Sequence, residues 1–154
     1  MNYTVYTDGA CSNNPGPGGY AFVILVNNEE QLKLSAPKKQ TTNNEMELAA
    51  IVSAMEHLKL FDEPANKSNN AVFYSDSAYC LNAINQGWLF NWAKNGWKTN
   101  KGQDVKNKEL WERFYNVASE MHMSVKFVKV KGHAGNYYNE MVDKMAKAAI
   151  ERGV

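Results

Sequence analysis

A strand pattern that ends on an acid constrains this chain more than any other feature. Residues 3–7 alternate in the manner of a pleated strand and lead directly into Asp8 and Gly9. The glycine allows the backbone to bend or to approach another element closely. A stretch rich in glycine and proline, residues 10–19, follows and predicts a turn. The sequence therefore places the Asp8 carboxylate at the end of rigid structure.

Two further strand patterns follow this turn. Residues 19–26 form a continuous apolar run, residues 27–30 are polar, and residues 31–35 alternate as an edge strand does. Pro37 and the two lysines after it are predicted to end this strand. Together with the first strand, the pattern predicts an antiparallel three-strand meander.

The next segment carries a helix start and a second acid. Thr42 and Glu45 have the spacing of a capping box, and apolar residues then recur at helical period. Glu47 shares a helix face with three apolar residues and is predicted to point inward; these are Ile51, Ala54 and Leu58. The alternative is that Glu47 caps the helix from Asn44.

A third acid follows a short apolar strand. Residues 71–75 are typical of a strand beside a parallel neighbour, and they end on Asp76. Because a helix separates this strand from the first meander, a right-handed crossover can place it parallel to the first strand. Asp8 and Asp76 would then be neighbours at the carboxyl edge of the sheet, where open α/β sheets bind ligands. The alternative for Asp76 is an N-cap on the next helix.

The C-terminal part predicts a helix over 107–121, a strand over 124–130 and a last helix. A glycine-flanked His133 precedes that last helix, and Asp143 lies at the edge of its apolar face. An acid at such an edge commonly points to water, which is the alternative for Asp143. The order of elements predicts a mixed α/β domain.

Size and composition favour one soluble domain over residues 1–154. No apolar run approaches the roughly 18 residues that a membrane span needs, and no leader pattern precedes the first strand. We therefore expect no membrane association and no export. Two cysteines, Cys11 and Cys80, are too few for a disulfide scaffold, so a reducing, cytoplasmic setting is expected.

Charge is balanced overall, at +1, but it is uneven along the chain. Residues 88–108, the basic segment, hold five lysines and one acid, Asp104, among three tryptophans. Such a local patch can bind phosphates on an otherwise balanced molecule. The rings of Trp88 and Trp92, one helical turn apart, are expected to pack together and to support the lysines.

Four acids on separate elements, with His133 ahead of the last, are more informative together than singly. Five segments hold these residues and part of the basic segment: TDGACSNNPGPGG, TTNNEMELAA, YSDSAY, GWKTNKGQDVKNKELW and VKGHAGNYYNEMVDKMA. In this order, they resemble type 1 ribonuclease H, in particular the single-domain bacterial form, over nearly the whole chain.

This resemblance implies a ribonuclease H-like, five-stranded mixed sheet flanked by helices, in which two parallel strands join the antiparallel meander. It also implies a monomeric endonuclease that hydrolyses the RNA strand of RNA/DNA hybrids with weak sequence preference. Site residues follow by motif match. The metal-binding carboxylates are Asp8, Glu47, Asp76 and Asp143, and His133 matches a catalytic histidine. Substrate contacts match Asn14, Asn43 and Asn44 in the minor groove, Thr42 and Asn107 at a phosphate, and Trp88, Lys94, Trp97 and Lys98 in a basic handle.

The implied chemistry agrees with these residue types. Phosphodiester hydrolysis uses two hard cations about 3.5 to 4 Å apart, held by carboxylates. Two Mg²⁺ ions fit, with Mn²⁺ as a possible substitute. Carboxylates gathered this closely repel one another, so we expect some of their pKa values to be raised in the metal-free protein.

Some positions depart from the family pattern. Ala93 and Asn95 replace residues that are often basic, and Glu45 stands where an arginine is common. Weaker or more salt-sensitive substrate binding is expected. Two alternatives stay open at this point: a module that binds nucleic acid without cutting it, and a nuclease of the same fold that acts on DNA.

Overall fold

The computed structural model describes residues 1–64, 68–130 and 136–153. The strands within these ranges form one five-stranded sheet. The strands are β1 (Asn2–Cys11), β2 (Gly16–Val26), β3 (Glu29–Thr41), β4 (Asn70–Ser75) and β5 (Ser124–Lys129), in the spatial order β3-β2-β1-β4-β5. The pairs β1–β2 and β2–β3 are antiparallel, whereas β1–β4 and β4–β5 are parallel. The predicted meander and crossover are confirmed. The turn predicted over residues 10–19 is shorter, because Ala10 and Cys11 of β1 pair with Gly19 and Gly18 of β2.

The third strand is longer than predicted. It runs through Pro37 to Thr41, with Pro37 opposite Gly19 and Thr41 opposite Gly16. A proline lacks the backbone N–H of a sheet ladder, but β3 is an edge strand, where one side needs no donor. The strand therefore continues to the residue before the first helix cap, and this brings that helix start beside the turn at the end of β1.

Five α-helices cover the two faces of the sheet in the described part of the chain. They are α1 (Asn43–Leu58), α2 (Ala78–Asn85), α3 (Trp88–Lys94), α4 (Lys108–Glu120) and α5 (Tyr137–Arg152). The larger core lies on the face of α1, α2 and α4, where Phe22, Phe73 and Trp111 are fully buried. A smaller core lies under α5, between Val23 of β2 and Val142 and Ala146. Among the described residues, no helix has both the length and the apolar character that crossing a membrane would require.

The caps of α1 and α2 confirm one prediction and correct another. Thr42 is the N-cap of α1, and its Oγ1 accepts the Glu45 N–H at 3.1 Å. Ser77, not Asp76, caps α2 by accepting the Cys80 N–H. The capping alternative for Asp76 is therefore wrong, because the residue after it takes that role and leaves the Asp76 carboxylate free for another one.

Candidate active site

Three carboxylates from three elements converge at one end of the sheet. One oxygen each from Asp8, Glu47 and Asp76 lies within 4.8 Å of the other two. Asp8 belongs to β1, and Asp76 directly follows β4, its parallel neighbour. Parallel strands bring their carboxyl ends to the same edge, and for this reason two acids that are far apart in the chain meet here.

Glu47 reaches the cluster because α1 lies against the end of β1. The Gly9 N–H donates to Glu47 Oε1 at 2.6 Å, and Asp8 Oδ1 accepts the same N–H at 2.9 Å. A Cβ on Gly9 would lie 2.3 Å from the carbonyl carbon of Met46 and 2.4 Å from the Glu47 nitrogen. Only glycine permits this approach. Glu47 thus faces inward as predicted and does not cap the helix from Asn44.

The buried end of Glu47 suits a cation. The residue is 8% exposed, and its Oε2 is buried without a hydrogen-bond partner among the described residues. A buried carboxylate oxygen without a partner is costly, and hard divalent cations prefer carboxylate ligands. The donor set, three carboxylates of which one oxygen is orphaned, therefore fits a divalent metal ion.

Burial and mutual repulsion raise the pKa of two carboxyl groups in this cluster. Burial, followed by the charges of Asp76 and Asp143, raises the pKa of Asp8 to about 6, although hydrogen bonds from Glu47 and Gly9 oppose the rise. Burial, together with the hydrogen bond and the charge of Asp8, raises the pKa of Glu47 well above its usual value. The expected rise in carboxylate pKa is thus present for this pair.

Asp143 lies beside the cluster but outside its tight group. It lies on α5, has a side chain 23% exposed, and pairs with Lys147 at 3.1 Å. Tyr6 packs in the small core on the α5 side of the sheet, and Asp8, two residues later in the strand, faces the same side. The charge of Asp143 consequently reaches Asp8, where it contributes to the raised pKa. The predicted histidine, His133, lies outside the described residues.

Polar residues predicted to contact a substrate gather at the start of α1. Asn14 Oδ1 accepts the Asn43 N–H at 3.0 Å, so the turn after β1 and the first turn of α1 are joined. Asn14, Asn43 and Asn44 are exposed, and Thr42 is partly buried as the helix cap. The structure therefore places these residues on one accessible surface.

Tyr79 is a positioning residue that the sequence analysis missed. Its hydroxyl accepts hydrogen bonds from Trp111 Nε1 at 3.0 Å and from Asn107 Nδ2 at 3.2 Å, and it lies 3.4 Å from the Lys106 carbonyl. The tyrosine on α2 thereby fixes the orientation of Asn107 at the start of α4. No local pattern identifies such a contact, because its partners lie 28 and 32 residues away.

The aromatic rings of the basic segment pack against α4 and against one another. The Trp88 and Trp92 rings are 6.5 Å apart, as predicted, and Trp97 contacts Tyr115 edge-on at 5.9 Å. Lys94 is exposed and lines a shallow cleft beside Trp97. Lys98, by contrast, is ion-paired with Asp104 at 2.5 Å. Lys94 and Lys98, both predicted to contact phosphates, therefore differ: only Lys98 has an acidic partner among the described residues.

Comparison with known proteins identifies the family of this chain. The family model described as RNase H matches residues 1–151. Ribonuclease H of Acetivibrio thermocellus is 44% identical over 97% of this chain and 95% of its own, and ribonuclease H of Moorella thermoacetica is 46% identical over 96% and 90%. Ribonuclease HI of a Synechocystis strain is 45% identical over 96% and 87%.

Solved structures agree on the fold. LC11-RNase H1, solved with an RNA/DNA hybrid, has a TM-score of 0.72 at 24% identity over 98% of both chains. RNase H1 of Halobacterium salinarum also has a TM-score of 0.72, at 20% identity over 99% of both chains. The sheet order and the acidic cluster described above, together with these matches, define a hydrolase of the ribonuclease H class. The chain belongs to the RNase H family, as the sequence resemblance predicted.

Proposed function

We propose that this chain is a divalent-metal-dependent endoribonuclease that hydrolyses the RNA strand of RNA/DNA hybrids. The observation that carries the proposal is the convergence of Asp8, Glu47 and Asp76 within 4.8 Å, in a chain of the RNase H family. The hybrid bound to LC11-RNase H1, a structure of the same fold, supports the substrate class. A monomer that works in the cytoplasm, as expected from the sequence, belongs to the same proposal.

The carboxylates of Asp8, Glu47 and Asp76 would hold the metal, with Asp143 as the fourth ligand from α5. Two Mg²⁺ ions, replaceable by Mn²⁺, suit these oxygen ligands. Bound ions would stabilise the negative charge on the attacking water and on the leaving 3′-oxygen. The buried Oε2 of Glu47 supports this assignment, because a cation would satisfy an oxygen to which no N–H or hydroxyl group of the described residues donates.

The residues around the carboxylates prepare them for this role. The Gly9 N–H fixes Glu47 Oε1, which leaves Oε2 as the oxygen available to a ligand. Burial raises the pKa of both Asp8 and Glu47, and both must be ionised to bind a cation, so cation binding and deprotonation would be coupled. His133, a predicted catalytic residue, is proposed to move a proton or to assist product release, since an imidazole titrates near neutral pH.

The surface at the start of α1 is proposed to recognise the hybrid. A wide, shallow minor groove displays the 2′-hydroxyls of the RNA strand, and short amide side chains can contact them without reading bases. Asn14, Asn43 and Asn44 are exposed there. Thr42 and Asn107 are proposed to contact a phosphate, and the basic segment, through Trp88, Lys94, Trp97 and Lys98, to contact the backbone further along. Weak sequence preference follows, because none of these contacts needs a base edge.

Cleavage of labelled substrates tests the proposal. The wild-type protein with Mg²⁺ is expected to cut the RNA strand of a hybrid, to leave duplex DNA intact, and to stop when a chelator is added. Cleavage of duplex DNA at a comparable rate would instead indicate a DNA nuclease. Binding of the hybrid without any cleavage, with either Mg²⁺ or Mn²⁺, would indicate a binding module.

A further inference from the structure

Asp104 lies between two lysines of the basic segment. Its Oδ1 is 2.5 Å from Lys98 Nζ and 4.0 Å from Lys108 Nζ. The hydrogen bond from Lys98, followed by the charges of both lysines, lowers the pKa of Asp104, so the carboxylate is ionised at neutral pH. Within residues 88–108, which hold five lysines, this single acid neutralises part of the charge that phosphates would meet.

The backbone holds Asp104 in this place. Lys98 and Asp104 are opposite one another in an antiparallel bridge, and flanking hydrogen bonds join Val105 N to the Trp97 carbonyl and Thr99 N to the Gln103 carbonyl. Val105 is buried and is part of the main core. The contact between Asp104 and Lys98 is therefore built into the fold of the segment, and it does not depend on a freely rotating surface side chain alone.

Cations that are paired with carboxylates also line a groove beside Asp104. This groove has a volume of about 900 Å³ and runs between the start of α1 and the start of α4. Three cations line it, and each is paired: Lys38 with Glu45, Lys108 with Asp104, and Arg113 with Glu56. Asn107, a proposed phosphate contact, lines the same groove. A phosphate that enters must compete with carboxylates for these cations.

The ion pair of Asp104 with Lys98 contributes too little to the stability of the fold to explain why an acid lies at this position. Its side chain is 60% exposed and that of Lys98 is 48% exposed, and exposed ion pairs contribute little to folding. Competition with an incoming phosphate is more consequential, because each lysine that contacts a phosphate releases condensed counter-ions and gives binding its salt dependence. A lysine that is already paired with a carboxylate contributes less to the salt dependence of binding.

We propose that Asp104 is an internal counter-ion that competes with hybrid phosphates for Lys98 and Lys108, and thereby sets the affinity and the salt dependence of substrate binding. This inference rests on the function proposed above. It makes Asp104 a specificity-determining residue that acts through the two lysines: it weakens electrostatic, sequence-independent attachment to nucleic acid, and leaves selection to the contacts at the start of α1.

The test compares hybrid binding by wild type and Asp104→Asn in a chelator, from about 50 to 200 mM KCl. The variant is expected to bind at least roughly threefold more tightly at low salt. Its plot of log affinity against log salt is expected to be steeper by about 0.9 for each additional phosphate that a lysine neutralises, or up to about 1.8 for two. Glu120→Gln is the matched control, because it makes the same charge change and frees Lys59 from an exposed pair outside the groove. This control is expected to match wild type.

A variant that lacks both lysines separates the effect of local ion pairing from the effect of net charge. When Lys98 and Lys108 are both replaced by Gln, the Asp104→Asn change is expected to alter neither affinity nor slope. Equal slopes for wild type, Asp104→Asn and Glu120→Gln would overturn the inference, as would an Asp104→Asn effect that persists without the two lysines. Hybrid cleavage by wild type with Mg²⁺, run in parallel, separates the two proposals: a wild type that cleaves while the slopes are equal rules out this inference alone, and a wild type that does not cleave rules out the proposed function.

Discussion

The backbone nitrogen of Gly9 lies 2.6 Å from Glu47 Oε1 and donates a hydrogen bond to it. This hydrogen bond joins the last residues of β1 to the first turns of α1. Asp8 Oδ1 accepts the same N–H, so one backbone group orients two carboxylates from two elements. The contact depends on a glycine, because any side chain would meet the backbone of Met46. The geometry of the acidic cluster is thus set by backbone packing as well as by the acids themselves.

Replacement of Gly9 by Ala is expected to move α1 away from β1. The added methyl group would lie 2.3 Å from a backbone carbon, which cannot rotate aside. Overpacking of this kind costs about 1–3 kcal/mol, and displacement of Glu47 is expected to reduce hybrid cleavage more than tenfold, since misplacement by about 1 Å can cost 10²-fold. Kinetics and thermal unfolding of the purified variant would show both effects.

Gly87→Ala is the control for that variant. Gly87 has φ of 81°, and no atom lies within 4 Å of the position that an added methyl group would take, so strain of about 1–2 kcal/mol is expected without loss of cleavage. Full activity in Gly9→Ala would show that the contact between β1 and α1 does not set the geometry of the site.

The stability of the metal-free protein is expected to rise as the pH falls from about 7 towards 4. Asp8 has a pKa of about 6 in the folded protein and about 3.9 when unfolded, so between these values the folded state binds more protons than the unfolded state. This contribution is fully present below the unfolded pKa and is lost as the pH rises through the folded one. Glu47 contributes in the same direction. Chemical denaturation in a chelator measures the trend.

Asp8→Asn supplies the comparison for that trend. The amide removes the repulsion among the carboxylates, so the metal-free variant is expected to be more stable than wild type at pH 7 by about 2 kcal/mol and to depend less on pH. Glu151→Gln, at an exposed acid of α5, is expected to behave as wild type. A wild type that loses stability steadily from pH 7 to pH 4 would contradict the raised pKa values of Asp8 and Glu47.

Tyr79→Phe is expected to weaken hybrid binding while leaving the carboxylates in place. Asn107 loses the hydroxyl that fixes its side chain, and Trp111 Nε1, on a fully buried residue, loses its acceptor. An unsatisfied buried donor costs about 1–3 kcal/mol. A raised KM with little change in kcat is expected; a fall in kcat at unchanged KM would indicate that Tyr79 acts on the cleavage site instead.

Lys94→Gln is expected to weaken hybrid binding more than Lys98→Gln. Lys94 is exposed and has no acidic partner among the described residues, whereas Lys98 is paired with Asp104. Neutralisation of both together is expected to flatten the salt dependence, by about 0.9 for each phosphate that is no longer neutralised. Lys59→Gln, outside the basic segment, serves as the control. If the variant with both lysines replaced keeps the wild-type slope of log affinity against log salt, the basic segment has a structural role only.

Much of the site follows from the sequence because it depends on regular elements. Alternation and periodicity predict the meander and the parallel crossover, and this crossover brings Asp8 to Asp76. The inward direction of Glu47 follows from the apolar residues on its helix face. These features are local patterns combined with general rules of sheet topology.

The remaining features depend on how distant segments pack. The extension of β3 through Pro37 requires its position at the sheet edge, which no local pattern encodes. The close approach at Gly9 and the hydroxyl of Tyr79 between Trp111 and Asn107 arise from contacts across 28 or more residues. The charge of Asp143 reaches Asp8 because α5 packs on the face of the sheet towards which Asp8 points. In the sequence Asp104 is one acid among the five lysines of the basic segment, and the antiparallel bridge seen in the structure is what places it opposite Lys98.

Cleavage of a labelled RNA/DNA hybrid by wild type and Asp8→Asn, with Mg²⁺ and with a chelator, tests the central claim most directly. The wild type is expected to cut the RNA strand only with the metal, and the variant, whose amide is a poorer cation ligand, is expected to lose at least about 10²-fold in rate although it folds stably. Undiminished cleavage by Asp8→Asn, or cleavage by wild type in the chelator, would contradict a carboxylate-held metal as the source of the activity.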